Sequence, residues 1–456
     1  MKNEVRHAKF VPALLLAVAF FFPQTGRTQT PDKAPSAASD EQVTQQANRL
    51  LKQMSVEEKV GQLTQYFKLG PNRAMEKQIS AGQVGSLLFV TDPEEINRLQ
   101  KLAVEGSRLH IPLIFGLDVI HGFKTIFPVP IAMAASWDPA MIEKVQGVAA
   151  AEARSAGIHW TFGPMVDIAR DPRWGRMVEG AGEDPYLGSA VARAQVRGFQ
   201  GDHLGAPNHI VACAKHYAGY GAAEGGRDYD SSDISDDQLY NVYLPPFHSA
   251  VEAGTGTLMS AYMDLNGVPA TGNRWLLHDV LREQWKFKGF VVSDANAVKS
   301  LEVHGFAKDA ADAAVRALTA GVNMEMAFGD SPYAKHLAQA LQDGRVTSTQ
   351  IDDAVRPIVE TKIRLGLFEH PYVDVSAAKQ NWQDPEHKTA ARIAGERSAV
   401  LLRNQANLLP LKAESYQRIA VIGPLQAIAK PMSQPRAIAG PVGKLHDQAT
   451  IASANG

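Results

Sequence analysis

The sequence has 456 residues with 46 Lys and Arg against 48 Asp and Glu, and its length suggests about three domains, or one barrel plus a remainder. Apolar residues make up 45% and charged residues 21%, which excludes a disordered or collagen-like chain. The near-neutral charge gives no electrostatic basis for binding nucleic acid or an anionic membrane, and the single cysteine excludes a disulfide framework or a thiolate zinc site.

The N-terminus has the pattern of a secretory signal. Basic residues among the first nine precede an apolar or proline run from Phe10 to Phe22, and a polar stretch follows. This run is shorter than the roughly 20 apolar residues that span a membrane. We therefore predict a signal peptide over 1–29, a disordered leader over 30–40, and a periplasmic or secreted protein without a membrane anchor.

Apolar strand-like runs alternate with helical patterns from Glu41 onward. Asp138-Pro139 and Asp184-Pro185 open two of the helices with an acidic cap and a proline at the first helical position. The alternation predicts parallel strands, and a (β/α)8 TIM-type barrel fits its length better than a doubly wound open sheet. Seven strands are expected, with the Pro-rich segment 127–134 as the candidate for the eighth: 85–90, 111–119, 159–166, 209–217, 256–262, 289–293 and 321–326.

Most of these runs terminate in polar residues. The carboxyl ends of barrel strands open onto one face, and buried charge without a use is costly, so one polar pocket is expected there. The sequence holds no HExxH, Walker, dinucleotide or Gly-x-Ser-x-Gly motif, and we predict neither a cofactor nor a metal. Carboxylates, cations and aromatic rings suit a neutral sugar substrate. The strand-ending residues are Asp118, Asp167, Lys215 and His216, Tyr262, Asp294 and Glu325.

Several motifs then occur in a fixed order. They are GLDVIHG at 116–122, DPRWGR at 171–176, GAGEDPY at 180–186, KHY at 215–217, EGGRDY at 224–229 and Ser293-Asp294. With them the chain resembles glycoside hydrolase family 3, in its bacterial periplasmic β-glucosidase branch, over about residues 45–425. The resemblance implies hydrolysis of terminal β-D-glucosyl residues from β-glucosides or oligosaccharides with retention of configuration.

The resemblance also implies roles for individual residues. Asp294 is expected to be the nucleophile that forms a covalent glycosyl–enzyme intermediate, with nearby cations lowering its pKa. Asp118 is expected to hold sugar hydroxyls. The other residues expected to bind or line the sugar site are Arg176, Lys215, His216, Tyr262 and Met165.

Structural alternatives stand beside these roles. Arg176 could serve only as an ion-pair partner of Glu179 or Glu183. Asp118 and Asp167 could cap the helices that follow them. Three further residues are expected to be packed in the interior rather than to act in the site: Cys213, His121 and His159.

The sequence departs from the family pattern at two positions of the barrel. Ala295 stands where the family places Trp after the nucleophile, which removes an aromatic wall. A single-domain branch of the family carries a His as general acid in the loop after Lys-His, but Tyr220 stands there. A phenol with a pKa near 10 is a poor proton donor and acceptor at neutral pH, so a barrel-only mechanism is disfavoured.

The two-domain branch takes its acid/base Glu from a second, α/β sandwich domain. We expect the barrel over 41–370, a linker over 371–385, and over 386–456 only the start of that sandwich, so the acid/base is expected to be missing. Glu224 is an internal candidate, but its Gly-rich loop gives no reason for a raised pKa. Two alternatives remain open: a truncated, non-catalytic protein that binds glucosides, and a β-xylosidase.

Overall fold

A computed structural model describes residues 39–415 and residue 418. Its strands are β1 Thr64–Phe67, β2 Ser86–Leu88, β3 Ile114–Leu117, β4 Trp160–Thr161, β5 Cys213–Tyr217, β6 Thr257–Ser260, β7 Asp264–Leu265, β8 Val268–Pro269, β9 Phe290–Ser293 and β10 Glu325–Ala327.

Helices occupy most of the intervening segments. They are α1 Asp40–Gln53, α2 Val56–Gln62, α3 Arg73–Ser80, α4 Pro93–Gly106, α5 Pro130–Ala134, α6 Pro139–Ser155, α7 Pro185–Gln200, α8 Asp236–Gln238, α9 Pro245–Glu252, α10 Ala297–Val303, α11 Ala310–Ala320, α12 Pro332–Gln342, α13 Ser348–Arg364, α14 Val375–Asn381 and α15 Pro385–Arg397, with π-helical segments at Leu239–Tyr243 and Trp275–Gln284.

Eight parallel strands close into a barrel. One run of paired strands has the order β10-β1-β2-β3-β4, and a second has the order β5-β6-β9. Parallel bridges join the two runs at both seams, Trp160 to Val211 on one side and Val292 to Met324 on the other. The short strands β7 and β8 form a separate antiparallel hairpin. The predicted (β/α)8 TIM-type barrel is therefore confirmed.

The eighth strand lies elsewhere than predicted. It is β1, which pairs with both β2 and β10. The Pro-rich segment 127–134 instead contains α5, whose first residue is Pro130. Proline is favoured at the first helical position because its missing N–H has no partner there in any case. The two helices opened by Asp138 and Asp184 form as predicted, and each aspartate caps the third following residue.

The barrel interior is filled by large side chains rather than by a channel. Trp160 packs against Phe162 and Phe290 with ring centroids 4.7 and 5.1 Å apart, and its indole N–H donates to Thr257. Gly116 accommodates this packing, because a Cβ there would lie 3.0 Å from the Phe162 ring. A full interior leaves only the ends of the barrel for a site.

Helices α14 and α15 pack against α6 and close the first of two compact units, which runs to Ala399. Glu152 on α6 is fully buried and accepts hydrogen bonds from the backbone N–H groups of Lys124 and Thr125, from the Thr125 hydroxyl, and from His387 Nδ1 on α15, all at 2.7–2.8 Å. The loop that follows Asp118 is thereby fastened to the outer helices.

The remaining expectations on domain organisation stay predictions. The second compact unit begins at Val400 and is described here only as far as short helical turns at Gln405–Asn407 and Ala413–Ser415. Helix α14 lies inside the segment 371–385 that was predicted as a linker. The predicted signal peptide and nearly all of the leader lie outside the described residues, as do most of residues 416–456. Among the described helices, none combines the length and apolar character needed to cross a membrane.

Candidate active site

The carboxyl ends of five neighbouring barrel strands supply the predicted site. Asp118 follows β3 directly, Asp294 follows β9 directly, and Lys215 and His216 lie within β5. Tyr262 lies two residues beyond β6, and Asp167 belongs to the segment after β4. Parallel strands present these ends on one face, so residues far apart in sequence meet there.

Asp118 and Lys215 form the first contact of the site. Lys215 Nζ lies 2.9 Å from Asp118 Oδ1, and the lysine is buried while the aspartate is exposed. Burial acts to lower the pKa of Lys215, but the carboxylates of Asp118 and Glu179 outweigh it and raise that pKa above its ordinary value. The lysine stays charged, and the open side of Asp118 remains available to a ligand.

His216 is held in one tautomer. Its Nδ1 lies 2.8 Å from Asp167 Oδ2, which also accepts the His216 backbone N–H at 2.9 Å. Arg176 Nη2 lies 3.1 Å from Nε2, and a guanidinium can only donate. Burial, assisted by the Arg176 and Lys215 charges, lowers the pKa of His216 well below its ordinary value. The ring is therefore neutral, with its proton on Nδ1.

Asp294 has one oxygen fixed and one without a partner. Oδ1 accepts the Ala295 backbone N–H at 2.7 Å, whereas Oδ2 has no hydrogen-bond partner among the described residues. Oδ2 lies 3.5 Å from His216 Nε2. Because Nε2 carries no proton, this contact is neither an ion pair nor a hydrogen bond. Oδ2 is covered by protein, and the Tyr262 phenol interacts with this carboxyl and lowers its pKa.

The neighbouring cations account for only part of the shift in the pKa of Asp294. Lys215 and Arg176 lower the pKa of this carboxyl, as predicted, and the Ala295 N–H acts in the same direction. Burial is the larger influence, however, and raises the pKa of Asp294 to about 6. The prediction of a lowered pKa was therefore wrong in net direction, because removal of the carboxylate from water outweighs its charged neighbours.

Arg176 has the ion-pair role that the sequence offered as an alternative, and its contact with a sugar stays a prediction. It forms a two-point ion pair with Glu179, at 2.8 and 3.2 Å, and also contacts His216. Its guanidinium carbon lies 5.6 Å from the centre of the Tyr220 ring. Arg176 is therefore both an ion-pair partner and a member of the site.

Aromatic side chains surround the site beside Asp294. Tyr220 is fully buried with its ring edge-on to His216 at 5.1 Å, and burial, then Asp228, raises its pKa, so the phenol stays protonated. Exposed Tyr229 lies 5.0 Å from Tyr262 between ring centres. Burial and then Asp294 raise the pKa of Tyr262 as well.

Some placements differ from the expectation of one convergent pocket. Glu325 is buried at the start of β10, where Ser331 and the Tyr333 N–H at the start of α12 donate to it at 2.6 and 2.9 Å. It therefore serves that helix rather than the pocket. Met165 is buried, with its backbone bridged to Lys215 on the neighbouring strand. Its role in lining the sugar site stays a prediction.

The sequence named Asp167 and Glu179 but did not predict the contact of Asp167. Glu179 pairs with Arg176 as one of the two predicted partners, and Asp167 fixes His216, 49 positions away, rather than capping a helix. Of the residues expected in the interior, Cys213 and His159 are buried as predicted. His121 is only half-buried, with its Nδ1 2.9 Å from the Phe127 carbonyl, so the expectation of a core histidine was not met there.

These features define a class of protein: a (β/α)8 barrel whose carboxyl-end mouth combines a buried carboxyl, two cations beside it and aromatic walls. The profile of the glycosyl hydrolase family 3 N-terminal domain matches residues 55–361. The chain therefore belongs to glycosyl hydrolase family 3.

Individual relatives agree with this assignment. The chain is 42% identical to the periplasmic beta-glucosidase of Salmonella typhimurium, over 82% of this chain and 50% of that protein. It is 35% identical to a putative beta-xylosidase of Formosa agariphila, over 89% of this chain and 56% of that protein. A Listeria innocua beta-glucosidase solved with isofagomine superimposes with a TM-score of 0.76 at 37% identity, covering 82% of this chain and 53% of that one. The chain spans about half the length of these relatives.

Proposed function

We propose that the barrel carries the glucosyl-binding half and the nucleophile of a retaining β-glucosidase. The single observation that carries the proposal is Asp294, at the end of β9, whose Oδ1 is anchored by the Ala295 backbone N–H and whose carboxyl is influenced by Lys215, Arg176 and Tyr262. A carboxylate held in one orientation with a free lone pair is arranged for attack on an anomeric carbon.

The covalent step follows from this geometry. The carboxylate of Asp294 forms a bond to the anomeric carbon while the bond from that carbon to the leaving oxygen breaks, and the leaving group takes the electron pair. Water later cleaves the resulting ester and restores the carboxylate. Asp118, Lys215 and Arg176 surround the sugar as donors and acceptors for its hydroxyls.

The leaving oxygen needs a proton when the leaving group is a poor one. The carboxylates in the cluster around Asp294 are each held by another group: Asp118 by Lys215, Asp167 by His216 and Glu179 by Arg176. None of these three is arranged as a general acid. We therefore expect fast glycosylation from dinitrophenyl glucoside, whose leaving group needs no proton, and slow glycosylation from alkyl glucosides.

Trapping the intermediate tests the proposal. Incubation with 2,4-dinitrophenyl 2-deoxy-2-fluoro-β-glucoside is expected to add one fluoroglucosyl group, which peptide mass spectrometry finds on Asp294. The matched control is Asp294→Asn, which is expected to gain no mass. Glucose binding without any adduct on the wild-type chain would instead identify a non-catalytic sugar-binding protein.

A β-xyloside is the second candidate substrate, because a putative beta-xylosidase is 35% identical over most of the chain. The matching fluoroxyloside, run beside the fluoroglucoside, decides between the two by the relative rates of labelling. We further propose that the protein acts outside the cytoplasm, supported by the basic and apolar pattern of its first 22 residues and by the periplasmic relative. Fractionation of cells that express the full chain tests this location.

A further inference from the structure

A cavity of about 430 Å³, which we call the rim cavity, lies outside the cluster around Asp294. Three segments form its walls: the loop between β2 and α4, the loop that starts at Asp118, and helix α14. Its volume is within the range of roughly 300–1,000 Å³ that is usual for sites of small molecules. The residues that line it include Asp92, Glu94, Lys124, Lys379 and Trp382.

The three walls are held in place by contacts outside the cavity. Asn97 on α4 exchanges two hydrogen bonds with the backbone of Val373, at 2.9 and 3.0 Å, which ties the segment before α14 to α4. The indole N–H of Trp382 donates to the Glu152 carbonyl at 3.1 Å, and the Glu152 carboxylate accepts the Lys124 backbone N–H at 2.8 Å. A ligand therefore meets walls that are already fixed, which lowers the entropy cost of binding.

One wall of the rim cavity is aromatic. The half-buried Trp382 ring lies edge-to-face with Phe123, at 6.2 Å between ring centres, and the Lys124 ammonium lies 4.4 Å from the centre of the indole. A cation over a ring at an exposed site is held weakly, so a ligand can displace the flexible head of this lysine. The C–H face of a hexose ring packs well against such an aromatic surface.

The other walls carry acidic and basic side chains in equal number. Lys379 Nζ lies 3.1 Å from Glu94 Oε1, and both side chains are exposed. Lys124 and Asp92 add one charge of each sign at the border of the cavity. The walls therefore offer hydrogen-bond donors and acceptors without net charge. Paired groups of opposite charge suit the vicinal hydroxyls of a neutral sugar better than they suit an ion.

We propose that the rim cavity is a second carbohydrate-binding site, which holds a hexosyl unit of a neutral oligosaccharide between the Trp382 ring and the Glu94–Lys379 pair. This inference goes beyond the proposed function, because the site does not involve Asp294 and needs no covalent step. Lys124 is the sixth residue after Asp118 on one loop, so the two lie within about 20 Å of each other. An oligosaccharide held in the rim cavity is thus kept near the barrel mouth, which raises its effective concentration there.

Cellotetraose, a neutral tetrasaccharide of glucose, is the probe that tests the proposal. All measurements use the full chain with Asp294→Asn, which prevents hydrolysis, and methyl β-thioglucoside at a saturating concentration, which fills the barrel mouth. Calorimetry is expected to show one cellotetraose bound per chain. Trp382→Ala is expected to weaken this binding about tenfold, because the sugar loses its aromatic contact. Glu94→Gln and Lys379→Met are each expected to weaken it about fivefold, because a charged hydrogen-bonding partner is lost.

The matched control is Glu396→Gln on α15, because Glu396 is also an exposed carboxylate in an ion pair, 2.6 Å from Arg392, but lies outside the rim cavity. It is expected to leave the affinity for cellotetraose unchanged. No binding of cellotetraose while the thioglucoside fills the mouth, or equal affinity in Glu94→Gln and Glu396→Gln, would overturn the proposal. If Trp382→Ala lowers thermal stability, the variants at the exposed Glu94 and Lys379 decide, because they leave the packing of α14 intact.

Failure of the proposed function gives a different result. If methyl thioglucoside does not bind, but cellotetraose binds and Glu94→Gln weakens it, the proposed sugar site at Asp294 is wrong and the rim cavity stands. If methyl thioglucoside binds and Asp118→Asn abolishes that binding, while cellotetraose gives no further heat of binding, only the present inference fails.

Discussion

Two groups of side chains share the barrel mouth but are held differently. In the polar arc, which comprises Asp118, Asp167, Lys215, His216 and Asp294, each residue is fixed by a charged or hydrogen-bonded neighbour, as His216 is by Asp167 and Arg176. In the aromatic arc, which comprises Phe67, Phe89 and Phe328 at the ends of β1, β2 and β10, the rings contact one another, Phe67 also packs against the core, and Phe89 and Phe328 are exposed. A charged site needs preorganisation because its reacting group must be oriented, whereas an apolar site gains most from area alone.

The largest effect on rate is expected from a change at Asp294, the proposed nucleophile in the polar arc. Asp294→Asn is expected to slow glycosylation by dinitrophenyl glucoside by about 10³-fold or more, since the amide cannot form the covalent bond. Stopped-flow release of dinitrophenolate measures this rate. Ala295→Ser, which keeps the backbone N–H that Oδ1 accepts, is the control and should retain most of the rate. Normal turnover by the asparagine variant would place the nucleophile elsewhere.

A smaller effect is expected at the sugar-binding side of the same arc. Asp118→Asn is expected to lower kcat/KM by about 100-fold, because the loss of one charge leaves Lys215 buried without its partner and weakens the grip on sugar hydroxyls. The loss of kcat/KM should be equal for methyl and aryl glucosides. Exposed Asp92, in the loop after β2, supplies the control as Asp92→Asn. Unequal losses of kcat/KM would show that Asp118 acts on more than the sugar.

The pH dependence of the glycosylation rate tests the pKa of Asp294. Burial raises the pKa of Asp294 to about 6, and only the ionised carboxylate attacks, so glycosylation should fall about tenfold per pH unit below that value. Lys215→Met removes a charge that lowers this pKa and should move the inflection to higher pH. Rates with dinitrophenyl glucoside between pH 4.5 and 8 measure both. An unmoved inflection in the methionine variant would contradict the assigned influence of Lys215.

The smallest effect concerns stability beneath the aromatic arc. Burial raises the pKa of Glu325 to about 7, so the folded state holds a proton that the unfolded chain releases from about pH 4.5 upward. The contribution of Glu325 to stability should therefore fall as pH rises through this window, by about 2 kcal/mol between pH 5 and 8. The difference in free energy of unfolding between the wild type and Glu325→Gln should change by that amount, because Asp294 and Asp167 titrate in both proteins. Denaturant unfolding at both pH values measures it.

Exposed Asp330, in the loop before α12, supplies the control for this stability measurement. Asp330→Asn should keep the wild-type slope of stability with pH, because an exposed carboxylate is not affected by burial. A free energy of unfolding with the same pH dependence in the wild type and in Glu325→Gln would show that Glu325 is ionised in the fold.

The sequence predicted the polar arc far better than the aromatic one, for a physical reason. An apolar run that stops at a charged residue, as at Asp118 or Asp294, marks both the strand and its end. Phe89 and Phe328 only prolong the apolar runs before them and carry no such mark. Strand β1 was missed because its Thr64 and Gln65 interrupt the apolar pattern, although both are buried against neighbouring strands.

The net shift in the pKa of Asp294 could not be predicted from the sequence, for a related reason. Cations near Asp294 could be inferred from motifs, but the depth at which the fold buries that carboxyl could not. The pairing of Asp167 with His216 likewise depends on two strands meeting in space. Pairwise chemistry was predictable where a motif named both partners, and desolvation was not.

The buried Glu152 has a practical consequence for cutting the chain. The family profile ends at residue 361, yet the side chain that completes this carboxylate's hydrogen bonding, His387, lies well beyond it. A recombinant fragment ending near residue 370 would lose the His387 hydrogen bond and the cover that α14 and α15 give to α6, next to the segment that bears Asp118. A barrel fragment that keeps these contacts therefore extends to the end of α15, at Arg397.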